Sequence, residues 1–113
     1  MAASTAYLNA IADAGGALMT HLALVNAAGA ELSGGSYARQ AVTWGAAVSG
    51  LIRPAADKTF SVPAGVTVGG WRAYSALSGG TDYGGDDLVQ ESFVNAGNYL
   101  LLAASTGYQH TAV

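Results

Sequence analysis

The sequence predicts a mainly β domain, an antiparallel sandwich or barrel-like body of immunoglobulin-like or jelly-roll-like type, with one short N-terminal helix. Three observations predict it. Glycine-rich turn signals recur about every ten residues. The runs between them are short and either alternate apolar with polar residues or are rich in β-branched and aromatic side chains. A helical apolar stripe occurs once, near the N-terminus, so helices do not alternate with strands and a βαβ arrangement is excluded. The 16 glycines follow no fixed period, which excludes a collagen-type chain. No internal repeat or linker divides residues 1–113, and a chain of 113 residues fits a single domain with one core.

The helix is expected over about residues 4–15. Ser4 or Thr5 can cap it, and Tyr7, Leu8, Ile11 and Leu18 fall on one stripe among helix-favouring alanines. Gly15-Gly16 should end it near Ala14, leaving Leu18 in the exit. A helix this short is not stable alone and must dock on the body or on a neighbouring molecule.

Strands are expected from about residue 19 to 105. His21 to Val25 is a compact apolar run, followed by a turn over Asn26 to Gly29. Arg39 to Trp44 is β-prone, with Val42 and Trp44 on one face, and Lys58 to Val62 places Phe60 and Val62 together. Pro63-Ala64-Gly65 makes a turn, since Pro fixes φ and Gly relaxes it. Val66 and Val68 alternate, Gly69-Gly70 interrupts, and Trp71 and Ala73 resume on the opposite parity. That shift predicts one long strand from Val66 to about Ser75, bent at a bulge. Ser78 to Asp87 reads as a glycine-acid loop. Leu88 to Val94 and Asn98 to Ala104 read as two last strands joined by a hairpin loop at Asn95-Ala96-Gly97. The tail from Thr106 to Val113 has weak structural signals. Trp44, Phe60, Trp71 and Phe93 are expected in the core, because large rings supply much of a small domain's buried area.

Composition excludes several function classes. Charged residues make up 10% of the chain against a usual share of about 25%, while 51% are hydrophobic. So few charges leave a surface solvated by Ser, Thr, Asn and Gly, or covered by partners. The net charge is −3, and the four basic residues Arg39, Arg53, Lys58 and Arg72 are scattered. Nucleic acid and membrane surfaces both demand clustered cations, so neither is expected as a partner. There is no cysteine, hence no disulfide, zinc ribbon or thiol nucleophile. No apolar run approaches the ~20 residues of a membrane span, and the N-terminus lacks a signal peptide's basic start. Synthesis in the cytoplasm is the expectation.

No motif demands catalysis. Ser36 in Gly34-Gly35-Ser36-Tyr37-Ala38 lacks the glycine two residues on that a nucleophile elbow needs. His21 lies in an apolar run and His110 in the tail, and nothing positions either with a serine and a carboxylate. Asp57 and Glu91 are no better placed as a glycosidase-like pair. Asp82, Asp86 and Asp87 sit among glycines and offer the oxygen ligands calcium takes, but their spacing departs from the EF-hand pattern and a solvated turn accounts for them better. No catalytic residue, cofactor or metal is therefore expected. Tyr7, Leu8, Ile11, Tyr37, Arg39, Tyr74 and Tyr83 are the residues expected to make assembly or partner contacts.

Two stretches carry a resemblance. Gly34-Gly35-Ser36-Tyr37-Ala38-Arg39-Gln40-Ala41-Val42-Thr43-Trp44, and Phe60-Ser61-Val62-Pro63-Ala64-Gly65-Val66-Thr67-Val68 followed by Trp71, resemble segments of small virion proteins of tailed phages, particularly phages of actinobacteria. Such proteins are labelled minor tail or tail fibre proteins, and some decorate capsids. The order of elements also resembles theirs over most of the chain. The resemblance implies a non-enzymatic virion component with a β-sandwich fold, on the particle surface, whose partners are the major capsid protein or tail proteins of the same virion. It also implies a homo-oligomer, a trimer being the form that threefold shell positions would take. Read as complete from Met1, the chain has no collagen-like or coiled-coil shaft, which suits a capsid decoration (cement) or minor capsid protein that stabilises the shell. The alternative expectation is a tail protein that attaches to host-surface glycan through Tyr74, Tyr83, Asp82, Asp86 and Asp87.

Overall fold

A computed structural model describes residues 4–103 and 106–109 of the chain. Its elements are helix α1 (Thr5–Leu18) and strands β1 (His21–Val25), β2 (Gln40–Ala41), β3 (Leu51–Ile52), β4 (Lys58–Val62), β5 (Val66–Tyr74), β6 (Asp82–Phe93), β7 (Gly97–Leu101) and β8 (Tyr108–Gln109). The strands form one four-stranded sheet in the order β2-β1-β5-β6 and two ribbons, β3-β8 and β4-β7. All pairings are antiparallel. The protein is mainly β with one N-terminal helix, as the sequence predicts.

β1 and β4 fall on the predicted residues. Leu22 and Leu24 face Ala73 and Trp71 across the β1–β5 pairing, and all four are buried. Phe60 and Val62 of β4 and Leu101 of β7 join them in one core, with Ile52 from β3 and Ala12 and Met19 from the helix region. Phe60 and Trp71 are buried as predicted, while Trp44 and Phe93 pack half-buried against that core.

Ser4 caps α1, its hydroxyl accepting from the Tyr7 N–H at 3.2 Å. The helix does not stop at Gly15-Gly16 but runs to Leu18, where the Met19 N–H closes on the Gly15 carbonyl. Packing overrides the glycine signal. A Cβ on Gly16 would stand 3.3 Å from both Trp44 Cβ and Ile52 Cδ1, so the missing side chain lets the helix approach the body closely. Two polar residues one turn apart then tie the helix to the following loop: Asn9 Oδ1 accepts from Gly50 N–H and Asp13 Oδ1 from Ala47 N–H.

The predicted strand from Arg39 to Trp44 is reduced to Gln40–Ala41. Beyond them the backbone turns to other partners: Val42 N–H donates to the Thr20 carbonyl, Ala55 N–H to the Thr43 carbonyl, and Trp44 bridges Pro54. Trp44 is fixed there by its indole N–H on the Met19 carbonyl at 2.8 Å. β3 and β8, each two residues long, carry too little pattern to be read in advance.

The largest correction concerns the last third. Asp82 to Asp87 is not a loop but the first half of β6, a 12-residue strand paired with β5. Gly84 and Gly85 serve a close approach of two strands rather than a turn: a Cβ on Gly85 would lie 1.8 Å from the Trp71 carbonyl oxygen. The predicted hairpin between the last two long strands does not form either. β6 pairs with β5 and β7 with β4, so residues 94–96 join two separate pairings. The bulge predicted on the Val66–Ser75 strand at Gly69-Gly70 is not on that strand: register irregularities fall between Val68 and Gly70 and between Arg72 and Tyr74, but it is the partner strand that is longer at each. The extra residues lie on β6, Leu88–Gln90 opposite Gly69 and Tyr83–Gly84 opposite Ala73. The last predicted strand, Asn98 to Ala104, ends early at Leu101, with Leu102 and Ala103 already outside it; Ala104 and His110 lie outside the described residues.

Candidate contact surface

Beside the β1–β5 pairing, at the margin of the core, lies a connected polar group centred on Arg39 and Glu31. Arg39 leaves the loop before β2 and is nearly covered, its side chain 8% exposed. Its Nε and Nη2 donate to the two oxygens of Glu31 at 2.9 Å each, a bidentate fork. Nη1 donates to the carbonyls of Ala76 and Gly79 at 2.9 and 2.8 Å. The guanidinium also stacks on the Tyr74 ring, 3.7 Å from its centroid. Tyr37 completes the group: its hydroxyl donates to Glu31 Oε2 at 2.9 Å and accepts from the Leu24 N–H at 3.0 Å, while its ring stacks on Phe60.

The Glu31–Arg39 segment is thereby locked to β1, just before it in sequence, and to the distant Ser75–Thr81 loop. Three of the expected contact residues, Tyr37, Arg39 and Tyr74, are engaged in this internal work. A local clue existed in the eight-residue spacing of Glu31 and Arg39, opposite charges flanking a glycine-rich turn.

Electrostatics follow the geometry. The Arg39 fork holds the Glu31 carboxyl below the usual carboxylate range, against the opposing effect of burial. Burial pushes the Tyr37 phenol well up. A carboxylate held down stabilises the fold above its unfolded value near 4.5, and that contribution is lost as pH falls through the lower folded value. A phenol held up has the opposite sense: the fold keeps its full stability below about pH 10 and loses it as pH rises further. Urea unfolding across the pH range should therefore weaken at both ends. Glu31→Gln should cost about 1–3 kcal/mol at neutral pH, by leaving the covered Arg39 without its counter-charge, and should reduce the acid dependence. Parallel curves for wild type and variant below pH 4.5 would refute this assignment.

The other expected contact residues divide. Tyr7 is 60% exposed, whereas Leu8 and Ile11 are half-buried under the helix. Tyr83 is half-buried, and its carbonyl accepts from the Tyr108 hydroxyl. Asp82, Asp86 and Asp87 are spread along β6. Asp82 pairs with Arg72 at 3.1 Å. Asp82 Oδ1 also accepts from the Gly84 N–H and Asp86 Oδ1 from the Asp87 N–H, so two carboxylates cover backbone donors of their own strand. Among the described residues no three His, Asp or Glu side chains converge as metal ligands.

Of the groups weighed for catalysis, His21 and Asp57 have local partners of their own. The His21 ring lies 2.9 Å from the Thr20 hydroxyl, at the start of β1. Asp57 Oδ1 accepts from the Ala103 N–H, while Glu91 sits on β6 opposite Val68.

What the described surface offers in quantity is large apolar side chains. Val89 is 92% exposed, Val94 84% and Val48 71%, with Leu77, Leu18, Leu100 and Leu102 also open. Leu100 and Leu102 point away from the core, alternating with buried Leu101 on β7. Sequence pattern alone hid Val89, because Leu88 to Val94 reads as a strand with a buried face. Comparison with protein-family models, curated proteins and solved structures finds no match to this chain.

Proposed function

We propose that this protein is a non-enzymatic structural component of a tailed-phage virion, and that it binds and stabilises the shell as a capsid decoration or minor capsid protein. The observation that carries the assembly part is the set of open apolar side chains on a chain with 10% charged residues. Single exposed apolar residues are ordinary, but Val89, within a long edge strand, and Val94, just past its end, stand almost wholly in solvent. Apolar exposure with little charge marks surfaces that are covered in an assembly. The choice of a virion as that assembly rests on the resemblance of segments 34–44 and 60–68.

The mechanism is bridging. A copy that binds the assembled shell and not its dissociated parts adds its binding free energy to the shell, and symmetry repeats the contact many times. Particles depleted of the protein should disrupt at a temperature several degrees lower, and adding the purified protein back should restore it. Identical melting of depleted and complete particles would end this reading. The second reading, a minor tail or tail fibre protein that attaches to host-surface glycan, draws on the exposed acids and half-buried tyrosines of the Tyr74–Asp87 region. It predicts that labelled protein binds host cell walls and that a virion holds only a handful of copies.

A further inference from the structure

We propose that the outer edge of β6 is a docking edge for an extended, basic segment of a partner protein, which adds to the four-stranded sheet as a fifth strand. This deepens the assembly reading by naming the chemistry of the partner, and it is tested on the isolated protein, so the two can fail separately.

The first observation is the edge itself. β6 closes the β2-β1-β5-β6 sheet, and among the described residues it has no strand on its other side. Its 12 residues run beside the nine of β5, a span of about 30 Å, longer than the short edge strands that proteins normally leave open. Residues 85–87 pair regularly with Arg72, Trp71 and Gly70, of which Trp71 and Gly70 are buried. That stretch of the edge is thus anchored to the core between the two register irregularities.

The second observation is the charge. Asp82, Asp86, Asp87 and Glu91 put four of the chain's seven acids on this one strand. Arg72 answers Asp82, but Asp86, Asp87 and Glu91 make no ion pair among the described residues. An open cleft of about 430 Å³, lined by Asn26 to Gly29, Arg72 and Gly84 to Asp87, lies beside the same carboxylates. It leaves room for a long side chain to reach them.

The charge pattern decides between occupants. A second copy pairing β6 to β6 would bring four carboxylates from each chain onto one interface. In the register that sets Asp86 opposite the other copy's Asp87, Asp82 also falls opposite its Glu91. Like charges across a strand pair repel. The two register irregularities and the carboxylates on the Gly84 and Asp87 N–H groups have the same effect, as devices that keep an edge from pairing at random. A segment with Lys or Arg at alternate positions escapes that repulsion. Asp86 and Asp87, as strand neighbours, point to opposite faces, so the segment's cations take the carboxylates of one face of β6 while its carbonyls take the backbone donors of the edge. Main-chain bonds then supply affinity and the alternate basic side chains supply specificity.

The test uses the full chain and a labelled ten-residue peptide of alternating Lys with Val or Thr. Saturable binding is expected, weakened about tenfold or more in high salt. Amide exchange should slow along residues 85–93. The same peptide with Glu for Lys, or with alternate backbone nitrogens methylated, should lose at least about tenfold in affinity. So should the protein variant Asp86→Asn/Asp87→Asn/Glu91→Gln. The methylated peptide leaves the protein unaltered, so that arm stands even if the variant folds poorly. Equal binding of the methylated or the Glu peptide would overturn the proposal, as would protection elsewhere in the chain, no binding, or a β6-paired dimer formed without peptide.

Discussion

Trp71→Ala is expected to lower the unfolding free energy by about 3–5 kcal/mol, the range for removing a buried aromatic and leaving a cavity. Trp71 is 2% exposed and sits where the structure converges. Its backbone pairs with Leu24 on one side and Asp86 on the other, and its ring meets Trp44 and Tyr108. Loss of the ring therefore loosens β1, the loop that holds Trp44, and β8 together. A domain of this size is stable by about 5–15 kcal/mol, so the variant gives up a large share of its stability and should unfold at a much lower urea concentration. Urea titration followed by circular dichroism reads it. A loss under about 1 kcal/mol would show that the ring is not the centre of the core.

Gly85→Ala should cost about 3 kcal/mol or more, while its neighbour Gly84→Ala should cost only about 1 kcal/mol. The contrast comes from what the new methyl meets. At Gly85 it would collide with the Trp71 carbonyl, 1.8 Å away, and backbone on a paired strand has nowhere to go. At Gly84 the nearest atom is the Tyr108 hydroxyl at 4.0 Å, so the cost is the strain of a φ of +88° alone. Melting curves rank the two. Amide exchange on Gly85→Ala should speed up along β6, since the strand must move off β5. The reverse order of stability would mean that β6 is not paired where the structure places it.

These two glycines also show why the sequence was only partly legible. β4 could be read because its buried residues alternate, and β1 because it is buried on both faces and shows as a short continuous apolar run. The helix start could be read from Ser4. Gly84-Gly85 could not, because the same dipeptide permits either a turn or a close strand approach, and only the partner strand decides. Gly15-Gly16 failed for the same reason, since Trp44 and Ile52 hold the helix through them. Strand existence was legible at Leu88 to Val94 and Asn98 to Leu101, but pairing was not. Pairing depends on β4 and β5, tens of residues away.

The contact residues divided along a similar line. Tyr7 is open, as expected of a surface anchor. Arg39 and Tyr37 read as surface residues by type, yet the carboxylate that draws them in, Glu31, carries meaning only when the turn between them is closed. Val89 lay hidden inside an apparently ordinary strand. Its exposure follows from the irregularity at Leu88–Gln90, which no local pattern announces.

The account turns on whether the open apolar side chains and the free β6 edge are covered in a particle. Image reconstruction of intact virions, at a resolution that traces strands, addresses this most directly. The predicted result is one density of this fold per repeated shell position, with Val89, Val94 and β6 against a neighbouring chain. A virion without that density, or a bound copy with β6 and these valines facing solvent, would contradict it.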